Sequence, residues 1–367
     1  MEKYVAVDSG KYATKYAYYD EKKKEILKSK FRTKISPGRM DDDEIEAGTF
    51  IAEIEGKVYK IGKGASQEAE LETTKKTEIH RICTLAALAI YASDKEEDLF
   101  HVAVGIPVLN YEDRESKLEY KKYILPELKY DDKKSKETGT ITYNPSDTVE
   151  VKLKLTSDSV PVIKRFRIAS KRVCPESSGV LYLDPIRFAD GTTAVLDLGN
   201  LNINGTCWNN FEYDKESSIT DELGGNILIS GLSKKLTTEF SRCDTTFTAR
   251  ILRKPLEDRK LVPINKNPEI EERSKKVIHD YLYNHVKAIK RECDAKHWSL
   301  DFMNMACIGG TTALLAHELR EVFGKNIYIP ENPEFANVLG FLKLLYTKKT
   351  GTLLVEEKKK NEKSAQN

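Results

Sequence analysis

The sequence predicts an α/β protein built from two similar domains, and three features predict it. A buried strand over residues 4–7 runs into an Asp8-Ser9-Gly10 turn. The same pattern returns about half a chain later, where residues 193–196 lead into Asp197-Leu198-Gly199. Around both turns, short apolar runs alternate with segments of helical periodicity, as expected for sheets covered by helices. A strand–turn–strand unit that recurs at such spacing suggests two similar domains.

In the first half, residues 4–7, 14–19 and 25–32 read as three strands joined by tight turns, and 57–62 as a further short strand. Residues 78–92 place Ile79, Ile82, Leu85, Ala86, Ala89 and Ile90 on one helical face, and 102–106 form a buried strand ended by Pro107. Residues 110–170 are charged and read as β-rich: Val149, Val151, Leu153 and Leu155 alternate with polar residues, and 131–136 is a solvated loop. In the second half the strand over 202–208 precedes a Gly-rich turn at Glu222-Leu223-Gly224-Gly225-Asn226, then a helix carrying Ile227, Leu228, Leu232 and Leu236. A long helix spans 271–292 with Ile278, Leu282, His285, Val286 and Ile289 at helical spacing. Residues 303–308 form a buried strand stopped by Gly309-Gly310-Thr311, followed by a helix over 313–323. The last regular element, 333–346, aligns Phe335, Val338, Leu339, Leu342 and Leu345. A lysine- and glutamate-rich tail, expected to fray, begins after Lys348.

With 367 residues the chain exceeds one ordinary domain, and 40% hydrophobic against 32% charged residues is a globular balance. Lys plus Arg number 60 against 58 Asp plus Glu, a net charge of +2 that gives no support for a dedicated nucleic-acid binder. The longest apolar helical stretch, 85–92, is too short to span a bilayer, and the first residues lack the apolar core of a signal peptide. Six cysteines without a C-x-x-C pair read as buried free thiols of a reducing cytoplasm, not as a zinc site or disulfide framework.

The chemistry concentrates at the turns. A glycine in the Asp8–Lys15 hairpin lets backbone approach a ligand, and successive N–H groups can cradle phosphate oxygens. Asp8 at the strand end can hold magnesium through water, while Lys15 on the returning strand sets a point charge on phosphate. The bland alternative is a plain hairpin with a surface lysine. Asp197-Leu198-Gly199-Asn200 offers the same devices, Gly224-Gly225 opens a helix where ribose or phosphate can sit, and Gly309-Gly310-Thr311 lets a nucleoside approach backbone. Two other motifs fail. Gly56 to Gly62-Lys63 has five residues between its glycines, and Gly64 stands where a P-loop needs Ser or Thr. His317-Glu318 lacks a second histidine at zincin spacing and reads as an ordinary helix face.

Taken in order, Asp8 to Lys15, Pro175-Glu176, Asp197 to Gly199, Glu222 to Asn226 and Ile308 to Thr311 resemble the actin, sugar kinase and heat-shock ATPase superfamily. Within it, the size and the segment Asn332-Pro333-Glu334-Phe335-Ala336-Asn337-Val338-Leu339-Gly340 look most similar to the ParM-type bacterial actins. The resemblance covers most of the chain and is vague between 110 and 170. It implies a two-domain actin-like ATPase fold, duplicated ribonuclease H-like domains around a nucleotide cleft, with 1–172 and 331–367 in one domain and 173–330 in the other. It also implies ATP hydrolysis coupled to polymerisation, GTP remaining open, with Mg²⁺ as cofactor.

Carried over, Asp8 and Asp197 organise the metal, mostly through water. Ser9, Gly10, Lys11, Tyr12 and Lys15 bind phosphates, joined by Gly199, Asn200 and Leu201. Gly224, Gly225, Asn226, Gly309, Gly310 and Thr311 complete the nucleotide contacts, and Glu176 with Asp197 acts on the hydrolytic water. One departure is Asn200-Leu201-Asn202, where the superfamily usually continues with Gly, Ser or Thr. A hydroxyl donor at 202 becomes an amide, which bears on hydrolysis rate and nucleotide preference. The implied partners are further copies in a helical filament and a DNA-binding adaptor at a plasmid centromere, with no direct nucleic-acid or membrane contact. Surface loops such as 36–48 would carry filament contacts. The competing expectations are a small-molecule, sugar-type kinase of the same fold, for which no sugar-site motif is evident, and a filament with a non-partitioning cytoskeletal role. A chaperone would carry a substrate domain where this chain has only its charged tail.

Overall fold

The computed structural model describes residues 2–69, 74–127, 147–240, 249–262 and 267–354. The loop expected at 131–136 and most of the charged tail lie outside them. The chain divides into two compact units, Met1–Tyr182 with Asn337–Asn367, and Leu183–Ala336. The boundaries expected at 172/173 and 330/331 therefore fall at 182/183 and 336/337. A single strand carries the chain through position 173, so Glu176 belongs to the first unit.

The first unit is organised by a sheet of β1 (Glu2–Ser9), β2 (Ala13–Asp20), β3 (Glu25–Arg32), β4 (Lys34–Pro37), β5 (Thr49–Ile54), β6 (Lys57–Gly62), β7 (Gln67–Glu68), β8 (Asp98–Ile106), β9 (Val149–Lys154) and β10 (Val162–Pro175). Their order is β3-β2-β1-β8-β10-β9-β5-β6-β4-β7. β1 runs parallel to β8, and β8 parallel to β10, while the remaining pairs are antiparallel. The parallel strands are the near-continuous apolar runs that burial on both faces demands: Val5, Ala6 and Val7 on β1, Val102, Ala103 and Val104 on β8.

Helix α1 (Glu78–Tyr91) packs its stripe of Ile79, Ile82, Leu85, Ala86 and Ala89 into this core. Two more helices follow, α2 (Val108–Glu112) and α3 (Arg114–Ile124), where the charged sequence suggested strand. The Asp113 carboxylate accepts the Ser116 N–H at 2.9 Å and caps α3. Only Tyr120 and Ile124 of α3 are buried, so its apolar periodicity is too sparse to read. The strands expected further on are present as β9 and β10.

The second unit contains β11 (Thr192–Leu198), β12 (Ile203–Asn209), β13 (Glu212–Asp221) and β14 (Asn304–Ile308), ordered β13-β12-β11-β14. Helices α4 (Gly225–Phe240), α5 (Ala249–Asp258), α6 (Pro268–Ala295) and α7 (Thr312–Phe323) complete it. Leu228, Leu232, Leu236, Ile278, Leu282, Val286 and Ile289 form its core, on the faces their spacing predicted. Pro268 opens α6, and the Asn267 side chain accepts the Glu269 N–H at 3.0 Å. Each unit thus repeats one arrangement: an antiparallel three-strand meander whose first strand also pairs with a later parallel strand. The repeated Asp-x-Gly turns mark the ends of those two first strands.

Helix α8 (Ala336–Thr350) returns to the first unit and buries Val338, Phe341, Leu342 and Leu345. Its Gly340 lies against the Gly179 backbone so closely that a Cβ would overlap the Gly179 carbonyl. Glycine-to-alanine in a helix interior ordinarily gains about 1 kcal/mol. Here Gly340→Ala is expected to lose about 2 kcal/mol or more, because backbone cannot yield as a side chain can. Denaturant unfolding measures this, and an unchanged or higher midpoint would refute the close packing.

Candidate functional site

The carboxyl ends of β1, β8 and β10 lie side by side, which in an open sheet with parallel strands is where ligands bind. β1 delivers Asp8, and Glu176 follows the end of β10, its N–H donating to the Ile106 carbonyl at 2.8 Å. Between the two carboxylates sits the Lys75 ammonium, from the segment just before α1. It donates to Asp8 Oδ1 at 2.7 Å and pairs with Glu176 Oε1. Lys75 is 4% exposed. Tyr120 closes the floor, its hydroxyl donating to the Gly105 carbonyl at 2.9 Å.

Opposing effects set the charge states here. Burial opposes ionised Asp8, but the Lys75 and Lys15 ammoniums, the Lys75 hydrogen bond and the Asn337 amide outweigh it and hold the carboxyl below its usual range. Burial likewise opposes charged Lys75, yet Asp8 and Glu176 raise its pKa well above that of an ordinary lysine. His80, one turn into α1, shows the reverse balance. Burial first, then the Lys75 charge, push it down to about 3, so it stays neutral, with Nδ1 2.7 Å from the Thr77 hydroxyl.

The β1–β2 hairpin holds its lysines near this cluster. Asp8 is directly opposite Lys15 in the register, and a buried hydroxyl chain fastens the turn: Ser9 Oγ to Thr14 Oγ1 at 3.0 Å, and Thr14 Oγ1 to Thr33 Oγ1 at 2.9 Å. The Gly10 N–H is shared between the Asp8 and Ala13 carbonyls at 3.0 and 3.1 Å. Lys11 at the tip is half-buried; burial lowers its pKa, opposed by Glu176. Tyr12 lies under the Arg32 guanidinium, 3.6 Å from guanidinium carbon to ring centre. The hairpin is therefore a braced structure.

In the second unit, three elements meet at the other turn. The Gly199 N–H donates to the Asn202 carbonyl at 3.0 Å, closing the turn after β11. The start of α4 is fastened to it, Gly225 N–H to the Gly199 carbonyl at 3.0 Å and Asn226 N–H to the Asn200 carbonyl at 2.8 Å. The start of α7 is fastened too, by Thr311 Oγ1 to the Gly199 carbonyl at 2.9 Å and Thr311 N–H to the Leu198 carbonyl at 3.0 Å. The first amides of α4 are thus spent on the turn, and the glycines serve close packing. A Cβ at Gly224 would lie 2.6 Å from the Asn202 nitrogen, and one at Gly225 2.6 Å from Thr311 Oγ1. Gly309, at φ +96°, is held by the Pro333 carbonyl at 2.8 Å, and a Cβ there would meet Asp197 Oδ1 at 2.6 Å. Gly310 is exposed, and a Cβ there would meet nothing nearer than Glu334 at 3.8 Å. Leu201 is half-buried in the same turn.

The sequence-predicted residues therefore gather into one cluster per unit. Asp8, Ser9, Gly10, Lys11, Tyr12, Lys15 and Glu176 form the first, and Asp197, Gly199, Asn200, Leu201, Gly224, Gly225, Asn226, Gly309, Gly310 and Thr311 the second. Lys75, Tyr120 and Asn337 were missed. The only signal for Lys75 is its place immediately before an amphipathic helix, which any of the many surface lysines could share.

This architecture, with an Asp-bearing strand end repeated in two ribonuclease H-like meanders, is the actin-like fold. A family model described as the N-terminal domain of actin-like proteins matches residues 6–151. The solved structures agree over nearly the whole chain. An Alp12 filament structure shares 22% identity, with TM-score 0.69 over 95% of this chain and 99% of that one. Apo pSK41 ParM shares 14%, with TM-score 0.68 over 95% and 98%. The archaeal actin homologue Ta0583 shares 17%, with TM-score 0.70 over 94% and 99%, and is also solved in complex with ADP. No curated protein matches the sequence. The resemblance to ParM-type bacterial actins thus holds at the level of the fold.

The donor set of the first cluster fits a hydrated magnesium ion and phosphate: oxygen ligands for the hard cation, and Lys11 and Lys15 for the anion. A stability signature also follows. Asp8 has a lowered folded pKa, so its contribution is present above about 3.9 and lost as pH falls through the folded value. Lys75 has a raised one, so its contribution is complete below about 10.4 and lost as pH rises through the folded value. Lys75→Met is expected to cost about 3–5 kcal/mol at neutral pH, by leaving buried carboxylates without their cation. The deficit should shrink toward pH 4, because Asp8 without the Lys75 charge is left with burial that favours its protonated form. Urea midpoints at pH 4.5 and 7.5 measure it, and a deficit independent of pH would exclude the ion pair as its source.

Proposed function

We propose that the protein is an actin-like nucleoside triphosphatase that takes ATP and Mg²⁺, polymerises into dynamic filaments and segregates plasmid DNA. The observation that carries this reading is the Asp8–Lys75–Glu176 cluster at the ends of three strands, with Lys11 and Lys15 beside it. Two carboxylates and three ammoniums in one place suit a metal-bound polyphosphate. Few other small ligands need both kinds of charge together.

In this reading Lys11 and Lys15 bind phosphate oxygens. Asp8 and Asp197 hold the metal through its water shell, and the ion neutralises charge on the phosphates when bound. Glu176 accepts a hydrogen bond from the attacking water and aligns it. Lys75, bonded to both Asp8 and Glu176, orients the two carboxylates and partly offsets their charge. The second unit contributes Gly199, Asn200 and Leu201 toward the phosphates, and exposed Gly310 and Asn226 toward the nucleoside. ATP is the leading nucleotide and GTP the alternative, because Asn200 and Asn202 change the donors of the second turn.

Filament formation is supported by similarity to the Alp12 filament, and nucleotide binding by similarity to the homologue solved with ADP. Hydrolysis would weaken subunit contacts through their different affinities for the triphosphate and diphosphate states. Capture by a DNA-binding adaptor at a plasmid centromere would let a nearly neutral chain move DNA without touching it. A cytoplasmic location fits the five described cysteines, all free and buried. Among the described residues no helix is long and apolar enough to cross a membrane.

The test is light scattering with phosphate release at micromolar protein, comparing ATP, GTP, ADP and no nucleotide in magnesium. Scattering should rise with a triphosphate and decay as phosphate appears. Glu176→Ala should slow phosphate release about 100-fold or more and prolong the scattering. Nucleotide binding without scattering at any concentration would overturn the filament reading and favour a kinase of the same fold.

A further inference from the structure

Within the second unit, α6 and α7 bring together three metal-ligating side chains. His279 comes from α6, and His317 and Glu321 stand one turn apart on α7. Their ligand atoms all lie within 4.8 Å of one another. His279 Nε2 is 3.1 Å from Glu321 Oε2, and His317 Nε2 is 3.8 Å from Glu321 Oε1. We propose that these three residues form a surface site for a divalent transition-metal ion, Zn²⁺ foremost, bound by two imidazoles and one carboxylate.

Geometry is the first argument. Donors around a tetrahedral zinc ion, each at about 2.0–2.1 Å, sit roughly 3.3 Å apart. The His279–Glu321 pair already has that spacing. His317, with a side chain 66% exposed, has room to close the rest by a rotamer adjustment. The support around the site is the second. His279 Nδ1 lies 3.5 Å from Asp280 Oδ1, so a carboxylate backs the ring on the side away from Glu321. Such a partner fixes tautomer and orientation in metal-binding histidines. The ring also stacks on Tyr283, with centroids 5.9 Å apart and planes at 16°.

Charge points the same way: the Glu321 and Asp280 carboxylates both face the His279 ring, at 3.1 Å and 3.5 Å, and together they favour a cation beside it. Glu318, the neighbour of His317, is not a further ligand. It is 1% exposed and locked to the Arg259 guanidinium, at 2.9 Å from Oε1 and 3.1 Å from Oε2. That pair anchors the inner face of α7 and leaves His317 and Glu321 on the outer one.

Imidazole donors select Zn²⁺, Cu²⁺ or Ni²⁺ over the Mg²⁺ of a phosphate site, so the two sites would not compete for one ion. Three protein ligands leave a fourth position open. A bound ion would also cross-link α6 to α7.

The test is Zn²⁺ titration of the full chain against a chromophoric chelator, with the wild type beside His279→Ala, His317→Ala and Glu321→Gln. Co²⁺ provides a second, spectroscopic probe. The wild type should take up one Zn²⁺ that millimolar Mg²⁺ does not displace, and should give visible Co²⁺ bands of low-coordinate type. Each variant should bind at least 10-fold more weakly and lose those bands. The wild type alone should gain in thermal midpoint on adding Zn²⁺, while metal-free midpoints stay alike because all three side chains are on the surface. Equal affinity in wild type and variants would place the metal elsewhere, and no competition with the chelator would remove the site. Either result overturns the proposal.

Discussion

Lys75 is buried between Asp8 and Glu176, and much of the first unit is arranged to make that placement tolerable. Taking one ammonium and two carboxylates out of water costs several kcal/mol per ion before any return from pairing. Asp8 comes from the first strand, Glu176 from the end of β10, and Lys75 from the approach to α1. Each is separately fixed by strand pairing or by the helix packed on the sheet. Neutral His80 and the Tyr120 hydroxyl surround the cluster without adding charge. The trio alone carries one net negative charge, and Lys11 and Lys15 reverse the sign of the neighbourhood. Under the proposed function, a region that is locally acidic and regionally basic would attract a polyphosphate while keeping carboxylates for a metal.

The position of this cluster follows from topology. In both units the first strand is flanked by its hairpin partner on one side and a parallel strand on the other. Parallel neighbours all end at the same edge, so carboxylates and tight turns from segments distant in sequence converge there without special loops. β1, β8 and β10 deliver Asp8, Gly105 and Glu176, while β11 and β14 deliver Asp197 and Gly309. The same strand edge therefore occurs in both units, with different side chains placed on it.

Sequence reading reached the fold through residues whose burial is dictated locally. Val5–Val7, the α1 stripe and the leucines of α4 and α6 repeat at periods that only one type of element accommodates. It missed α3, where a single capping aspartate and two buried residues carry a helix of otherwise charged sequence. It missed Lys75 for a different reason. A buried lysine has no compositional mark, and its role exists only once two carboxylates far away in sequence have been brought to it. The proposed site at His279 and His317 would be the same case: local spacing shows no partner for His317, because the second imidazole belongs to another helix.

The glycines show how a motif can be right in place while its local role differs. Gly224-Gly225 lies before a helix, where free amides would suit an anion, yet the amides of Gly225 and Asn226 are bonded to turn carbonyls. What the glycines provide is proximity, since any side chain there would push α4 off the turn. The second turn consequently has one carboxylate, Asp197, amid neutral amides at Asn200, Asn202 and Asn226, whereas the first has lysines and paired carboxylates. Under the proposed function that contrast divides the work. The first unit, rich in charge, would respond to how many phosphates are bound and to the metal. The second, with neutral hydrogen-bonding groups, would respond to the nucleoside. A change from triphosphate to diphosphate would then alter mainly the interactions of the first unit, and so bias any equilibrium in which the two units take part.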